Sequence, residues 1–286
     1  MGMRVLRNLG IALVALLVAS ATAAAKITYE KEPFKLLPGT QHEPVTVKCP
    51  GNAHVLSGGI GAVWGMGVVV SSMPVDRGDG DEKPDDGWSV VVASPEDAQS
   101  DDRIKIHAVC ATGPAPKYKI VGTTATGIAI DGATCPAGTQ ATGAGALTEG
   151  AMGVTYVHTW SPYDFGSASG EATQVVVEGS APFPDVTLAA VCTDKLDLRY
   201  RKDTFTIESP FGAPVPVFCM KSEEVVGGGG FVADPGPGVT VKIEDSFPDD
   251  RPGEPGHRPE DAWGTSFLPD PFSAEPTAAV VAVCAK

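Results

Sequence analysis

Three copies of one sequence pattern follow each other along the chain, and each copy contains two cysteines. The cysteine pairs, in chain order, are Cys49 and Cys110, Cys135 and Cys192, and Cys219 and Cys284. The two cysteines of a copy are 61, 57 and 65 residues apart, and each second cysteine ends the tripeptide Ala-Val-Cys. Ten residues after each first cysteine stands a glycine: Gly59, Gly145 and Gly229. Agreement at so many ordered positions predicts three related structural units.

The residues before each second cysteine alternate between two kinds of side chain. In the first copy Ile104, Ile106 and Ala108 share a face with Cys110, whereas the intervening positions include Lys105. A period of two residues is typical of a β-strand with one buried face. Since no part of the chain after residue 25 shows a sustained 3.6-residue apolar stripe, we predict an all-β protein.

The six cysteines are expected to form disulfides. An even number of cysteines in an exported chain favours disulfides over metal thiolates. Six cysteines permit 15 pairings, and the repeat favours those within each copy, although pairing between adjacent copies stays open.

The first 25 residues predict export. Arg4 and Arg7 are followed by an apolar stretch and by small residues, the pattern of a secretory signal peptide over residues 1–25. We therefore expect a secreted protein, extracellular or, where the source has an outer membrane, periplasmic, with no membrane anchor. Removal of the signal peptide leaves 19 basic and 35 acidic side chains and a formal charge of −16. Such a surface repels phosphate backbones, so nucleic acid is not an expected partner.

The repeat also divides the chain. We predict β repeats over residues 26–113, 114–194 and 195–286. Two layouts are open. The preferred one has three disulfide-stapled β modules packed together, and the alternative is a single pseudo-threefold β-prism.

Several short motifs carry a resemblance to known proteins. They are Cys49-Pro50-Gly51, Cys135-Pro136-Ala137-Gly138, Gly58-Gly59, Ser72-Met73-Pro74, Trp88 and the three Ala-Val-Cys endings. This pattern resembles a repeat of exported bacterial proteins, which implies no activity. The third copy departs from it at Met220, and the second has Thr173 near the place of the tryptophan. The chain is also similar in architecture to the β-prism of the vitelline membrane outer layer type, which implies three Greek-key repeats around one axis.

An acidic tract in the first copy is the candidate loop site. Its carboxylates are Asp76, Asp79, Asp81, Glu82, Asp85 and Asp86. Such a tract could wrap a calcium ion, which takes six to eight oxygen ligands, but it lacks the spacing of an EF-hand loop. The alternative is a solvated loop between two strands, and no other cofactor is expected.

The remaining motifs predict no reaction. The five histidines fall at unrelated places in the copies, and neither HExxH nor GxSxG is present. Arg77-Gly78-Asp79 spells an adhesion tripeptide, a weak signal in a charged tract. We therefore predict a noncatalytic secreted binding or structural protein with an extracellular protein or glycan as its partner. A lectin that stacks sugars on Trp64, Trp88, Trp160 or Trp263 is the alternative, and an extracellular hydrolase comes third.

Overall fold

The computed structural model describes most of the chain after the predicted signal peptide. It covers residues 25–40, 43–61, 68–76, 81, 83–94, 96, 103–124, 128–149, 155–163, 172–179, 185–207, 214–234, 241–249, 261–269 and 276–286. For some strand residues, including all of 155–163 and 172–179, only the backbone is described.

Each repeat contributes six β-strands. Those of the first repeat are β1 (Ile27–Lys35), β2 (Val45–Lys48), β3 (His54–Gly61), β4 (Val68–Val75), β5 (Gly87–Ala93) and β6 (Arg103–Ala111). Those of the second are β7 (Lys117–Thr124), β8 (Ile128–Thr134), β9 (Gln140–Glu149), β10 (Thr155–Tyr163), β11 (Ala172–Gly179) and β12 (Asp185–Thr193). Those of the third are β13 (Leu198–Thr206), β14 (Val215–Phe218), β15 (Glu224–Asp234), β16 (Val241–Asp249), β17 (Ala262–Pro269) and β18 (Thr277–Ala285). Over the described ranges there is no helix long and apolar enough to span a membrane.

Every sheet is built from two repeats. Within a repeat the strands form two trios, ordered first-sixth-third and second-fifth-fourth. The three six-stranded sheets have the orders β1-β6-β3-β16-β17-β14, β2-β5-β4-β9-β12-β7 and β13-β18-β15-β10-β11-β8. At each junction the third strand of one repeat lies antiparallel to the fourth strand of another. The repeats therefore close into a ring, because each one shares a sheet with both of the others.

The two trios of one repeat also pack against each other as layers. In the first repeat β3 contacts β5 and β2 contacts β6, and related contacts occur in the other two. Inward side chains of both layers, such as Val55, Trp88 and Ile106, join one hydrophobic cluster. The predicted all-β class is confirmed, and the structure combines both layouts. Each repeat has its own sandwich, as modules do, while the shared sheets close the pseudo-threefold body of the alternative.

All three disulfides lie within repeats. The structure joins Cys49 to Cys110, Cys135 to Cys192 and Cys219 to Cys284, with Cα atoms 5.7, 5.8 and 5.7 Å apart. These distances match the usual span of a disulfide. The pairing is the within-copy connectivity that the repeat favoured.

The glycine ten residues after the first cysteine lies at a junction between repeats. A Cβ added to Gly59 would lie 1.8 Å from the carbonyl oxygen of Ser246 in the third repeat. A Cβ on Gly145 would lie 2.5 Å from the carbonyl oxygen of Ser72 in the first. Real Cβ atoms do not approach so closely. Glycine is therefore required at these two positions because two backbones meet there.

Three tyrosines connect neighbouring repeats in a cycle. Each lies on the first strand of its repeat, opposite the valine of Ala-Val-Cys, and donates its hydroxyl hydrogen bond to a backbone carbonyl of another repeat. The bonds run from Tyr29 to Val225 (2.8 Å), from Tyr118 to Val55 (2.9 Å) and from Tyr200 to Ala141 (2.7 Å). The first repeat thus bonds to the third, the third to the second and the second to the first.

Candidate functional site

The end of the acidic loop, residues 76–86, is held by a histidine that the sequence did not link to it. His54 Nδ1 lies 2.8 Å from Asp85 Oδ2, with 26% of the histidine side chain and 6% of the aspartate side chain exposed. A buried carboxylate needs hydrogen bonds or an opposite charge. The pair therefore keeps Asp85 inside the protein, while the histidine side chain stays partly exposed.

Backbone bonds fix the same end of the loop. Val55 donates its N–H to the Asp85 carbonyl at 2.9 Å, and Cys49 donates to the Asp86 carbonyl at 2.8 Å. The second bond lies beside the Cys49–Cys110 disulfide. Because two backbone bonds and a side-chain pair converge within two residues, this end of the loop is rigidly positioned on the scaffold.

Tyr118 places the second repeat at the base of the loop. Burial raises the pKa of its hydroxyl well above the ordinary value, and the nearby carboxylates of Asp85, Asp86 and Asp81 raise it further. The hydroxyl thus stays protonated and continues to donate its hydrogen bond to the Val55 carbonyl. It acts as a structural donor and not as a base.

The predicted calcium ligands that the structure describes lie in different environments. Asp85 is buried against His54, whereas Asp76 is exposed directly after β4. Asp81 accepts a hydrogen bond from the Lys83 backbone N–H at 2.9 Å and pairs with the Lys83 ammonium group. The predicted ligands Asp79 and Glu82, together with the Arg77-Gly78-Asp79 tripeptide, lie outside the described residues. Calcium binding stays a prediction.

One other carboxylate lies near sulfur atoms. Glu223 has an oxygen within 4.8 Å of the sulfurs of Cys219 and Cys284. These sulfurs are bonded to each other and offer no thiolate, so the group is not a metal centre while the disulfide is intact. Glu223 instead binds Arg201 through several hydrogen bonds of 2.9 to 3.1 Å and accepts the Met220 N–H at 2.9 Å. It connects β13 to the turn between β14 and β15 in the third repeat.

The polar groups that could have served catalysis are separated. Ser57 is 1% exposed and donates to the Val226 carbonyl at 2.7 Å, which links the first and third repeats. His107 is buried and stacks on Phe247, with ring centroids 5.5 Å apart. His42 and His257 lie outside the described residues, and for His158 only the backbone is described. In the described part of the chain, the predicted histidines and Ser57 form no nucleophile-base pair.

His107 should make the protein less stable in mild acid. Burial, and then the positive charges of Lys31 and Lys105, lower its pKa from 6.5 to about 4. The unfolded chain therefore binds the proton more readily than the folded one. The contribution of neutral His107 to the free energy of unfolding is therefore fully present above about pH 6.5. As the pH falls towards 4, the free energy of unfolding should fall by up to about 3 kcal/mol.

Urea unfolding between about pH 7.5 and pH 4 measures this effect. His107→Gln, which cannot titrate, should show a shallower decline in unfolding free energy than the wild type. Equal slopes for the two proteins would contradict the prediction. An NMR titration of the His107 ring in the wild type checks the lowered pKa directly.

Two of the four tryptophans are core residues. Trp88 and Trp263 are fully buried, and their indole N–H groups donate to Ser72 and Ser246 at 2.8 and 2.9 Å. Neither can stack on a sugar. Trp64 lies outside the described residues, and for Trp160, Tyr156 and Tyr163 only the backbone is described, so the lectin alternative has no described aromatic surface.

The ring-closing tyrosines were missed by the sequence reasoning. They stand 20, 17 and 19 residues before the first cysteine of their repeats, a spacing that an alignment of the copies could have found. The pairing of His54 with Asp85 had no such signal, since the equivalent positions hold Gln140 and Glu224.

Comparison with family models and with curated proteins gives no match, so a functional proposal rests on the fold and the candidate site. No protein-family model matches the chain. No curated protein matches it either.

Proposed function

We propose that the protein is a secreted, noncatalytic binding protein in which the closed ring of repeats presents the acidic loop as its binding element. One observation carries the proposal. The loop is fixed at its end by the His54–Asp85 pair and two backbone bonds, while Asp76 and Asp81 beside it are exposed. A loop that is anchored at one end loses less conformational entropy on binding than a free one.

A noncatalytic role is supported by how the polar groups are used. Ser57 bonds across repeats, Asp85 anchors the loop and His107 is buried against an aromatic ring. A general base must lie within hydrogen-bond reach of the proton that it removes. These three groups are instead committed to holding the fold together.

Secretion is supported by two independent features. The three disulfides indicate an extracellular or otherwise oxidising compartment, where such bonds persist. The basic start and apolar stretch of residues 1–25 predict export by the usual signal-peptide route.

Charge favours a cationic partner. The chain has 35 acidic against 21 basic side chains, and the acidic loop concentrates the negative charge of the first repeat. Complementary charge steers association and selects partners more than it adds raw affinity. We therefore expect the loop to bind a basic segment of another extracellular protein.

Two variants with the same change in net charge test the proposal. Asp76→Asn with Asp81→Asn neutralises the acidic loop, and Glu30→Gln with Glu32→Gln neutralises two residues of β1. Each variant and the wild type are immobilised and exposed to the extracellular fluid of the source organism. The affinity of each retained protein is then measured by biolayer interferometry.

The loop variant should bind a retained partner at least about tenfold more weakly, a difference of about 1.4 kcal/mol, while the β1 variant should bind like the wild type. Equal binding by all three proteins would overturn the role of the loop. Glycan-array binding that the loop variant retains would favour a lectin. Turnover in a broad hydrolase screen would overturn the noncatalytic role.

A further inference from the structure

The outer strand of the second repeat has its exposed lysines, Lys117 and Lys119, only in its first half, so its centre is less protected than the centres of the other two outer strands. The first strands β1, β7 and β13 are edge strands, and the described residues pair each of them on one side only. An unpaired edge invites another strand to bind, and natural proteins block it with charged side chains, lysine above all, or with proline.

The three edges can be compared position by position from their ring-closing tyrosines. Two residues after each tyrosine stand, in repeat order, Lys31, Ile120 and Lys202. Four residues after it stand Pro33, Gly122 and Thr204. The first and third repeats thus have an exposed lysine where the second has isoleucine, and proline or threonine where it has glycine.

The exposed isoleucine and the glycine lie next to each other on one face of β7. Ile120 is 43% exposed, one of few large apolar side chains in the described residues to be so exposed. No atom lies within 4 Å of where a Cβ of Gly122 would be. Residues two apart on a strand point to the same face. An apolar side chain therefore stands beside an open space on the part of the edge that follows Lys119.

We propose that β7 pairs antiparallel with β7 of a second copy of this chain, centred on Val121. In this register Ile120 of each copy lies opposite Gly122 of the other, so that each isoleucine covers the space over the partner's glycine. Lys119 then lies opposite Thr123, and no lysine faces a lysine. The pairing is two-fold symmetric, and it joins the two sheets that contain β7.

The predicted dimer is weak. One strand pair buries less surface than a stable complex, which needs about 1,200 Å² or more. The excess of 35 acidic over 21 basic side chains also makes the copies repel each other. Added salt screens this repulsion and should strengthen the dimer, the opposite of its effect on association through ion pairs.

Sedimentation of the mature protein from about 1 µM to about 1 mM tests the pairing. The average mass should rise towards twice that of the monomer, and further at higher salt. Ile120→Lys, which restores the residue of the other two repeats, should stay monomeric over the same range. Leu37→Lys removes an apolar side chain elsewhere that is even more exposed (53%), and this variant should dimerise like the wild type.

Amide hydrogen exchange of the wild type tests the β7 pairing without any variant, so the test does not depend on how well a variant folds. Exchange in residues 120–124 should slow with protein concentration, while exchange in β1 and β13 should not. A mass that stays monomeric, an Ile120→Lys dimer as strong as the wild type, or slowing in another strand would overturn the proposal. The proposal would also be overturned if β7 exchange slowed only in the extracellular fluid of the source while the protein stayed monomeric. The edge would then bind a strand of another protein.

Discussion

Replacing Gly59 with alanine is expected to lower the free energy of unfolding by about 3 kcal/mol, the upper end of what overpacking a core costs. The new Cβ would lie 1.8 Å from the carbonyl oxygen of Ser246. Ile60 pairs with Ser246 at the junction of β3 and β16, so the oxygen cannot move away without loosening that junction. Chemical denaturation followed by circular dichroism measures the loss.

Gly264→Ala is the matched control for this substitution. Gly264 also lies buried in a strand, β17, but a Cβ there would meet its nearest atom, Asp249 Oδ2, at an ordinary 3.4 Å. The control should change the unfolding free energy by less than about 0.5 kcal/mol. Equal losses for the two variants would show that the cost comes from strand glycines in general and not from the contact between repeats.

Removing the first disulfide, with Cys49→Ala and Cys110→Ala, is expected to cost about 4 kcal/mol. The bond closes a loop across 61 residues, and the chain-entropy model gives about that stabilisation for this length. Because the sheets are shared between repeats, the lost stability should appear in one cooperative transition at a lower temperature. Calorimetry of the variant and the wild type measures both the shift and the number of transitions.

The same change in the second repeat, at Cys135 and Cys192, serves as the comparison. Its loop spans 57 residues, and the entropy depends only on the logarithm of length, so the loss should be nearly equal. A loss below about 1 kcal/mol in either variant would contradict the entropic account. A separate early transition would show that the repeats unfold independently.

The strands were predictable because their signals are local, whereas the disulfide pairing was favoured by the repeat. The alternation of Ile104, Ile106 and Ala108 marks an inward face, and the structure buries all three. The repeat then favours a partner for each cysteine. The strand inference needs no knowledge of how distant parts of the chain meet, but the structure was needed to decide between pairing within copies and pairing between them.

The sheet junctions were not predictable, because backbone groups make them. Gly59 signals that something approaches closely, but the sequence does not say that Ser246 of another repeat does so. The structure was also needed to relate the missing tryptophan of the second repeat to a second sequence difference. A Cβ on Gly58 would lie 2.2 Å from Trp88, and where the second repeat has Thr173 in the tryptophan position it has Ala144 in the glycine position.

The candidate site was predicted in part. The acidic loop was found from its composition, yet composition treats Asp85 and Asp81 alike. The structure buries Asp85, which lies within reach of His54, 31 residues away in sequence, and leaves Asp81 beside Lys83. Long-range pairing, and not residue type, separates an anchor from a surface charge.

One consequence follows from the way the junctions are built. Each joins the third strand of one repeat to the fourth strand of another, so a single repeat carries both halves of the junction. Three separate polypeptides of one repeat each could close the same ring without any link between them. The fold therefore has the connectivity of a closed trimer within one chain, and the acidic loop and the outer strands lie outside the strand pairs that form its junctions.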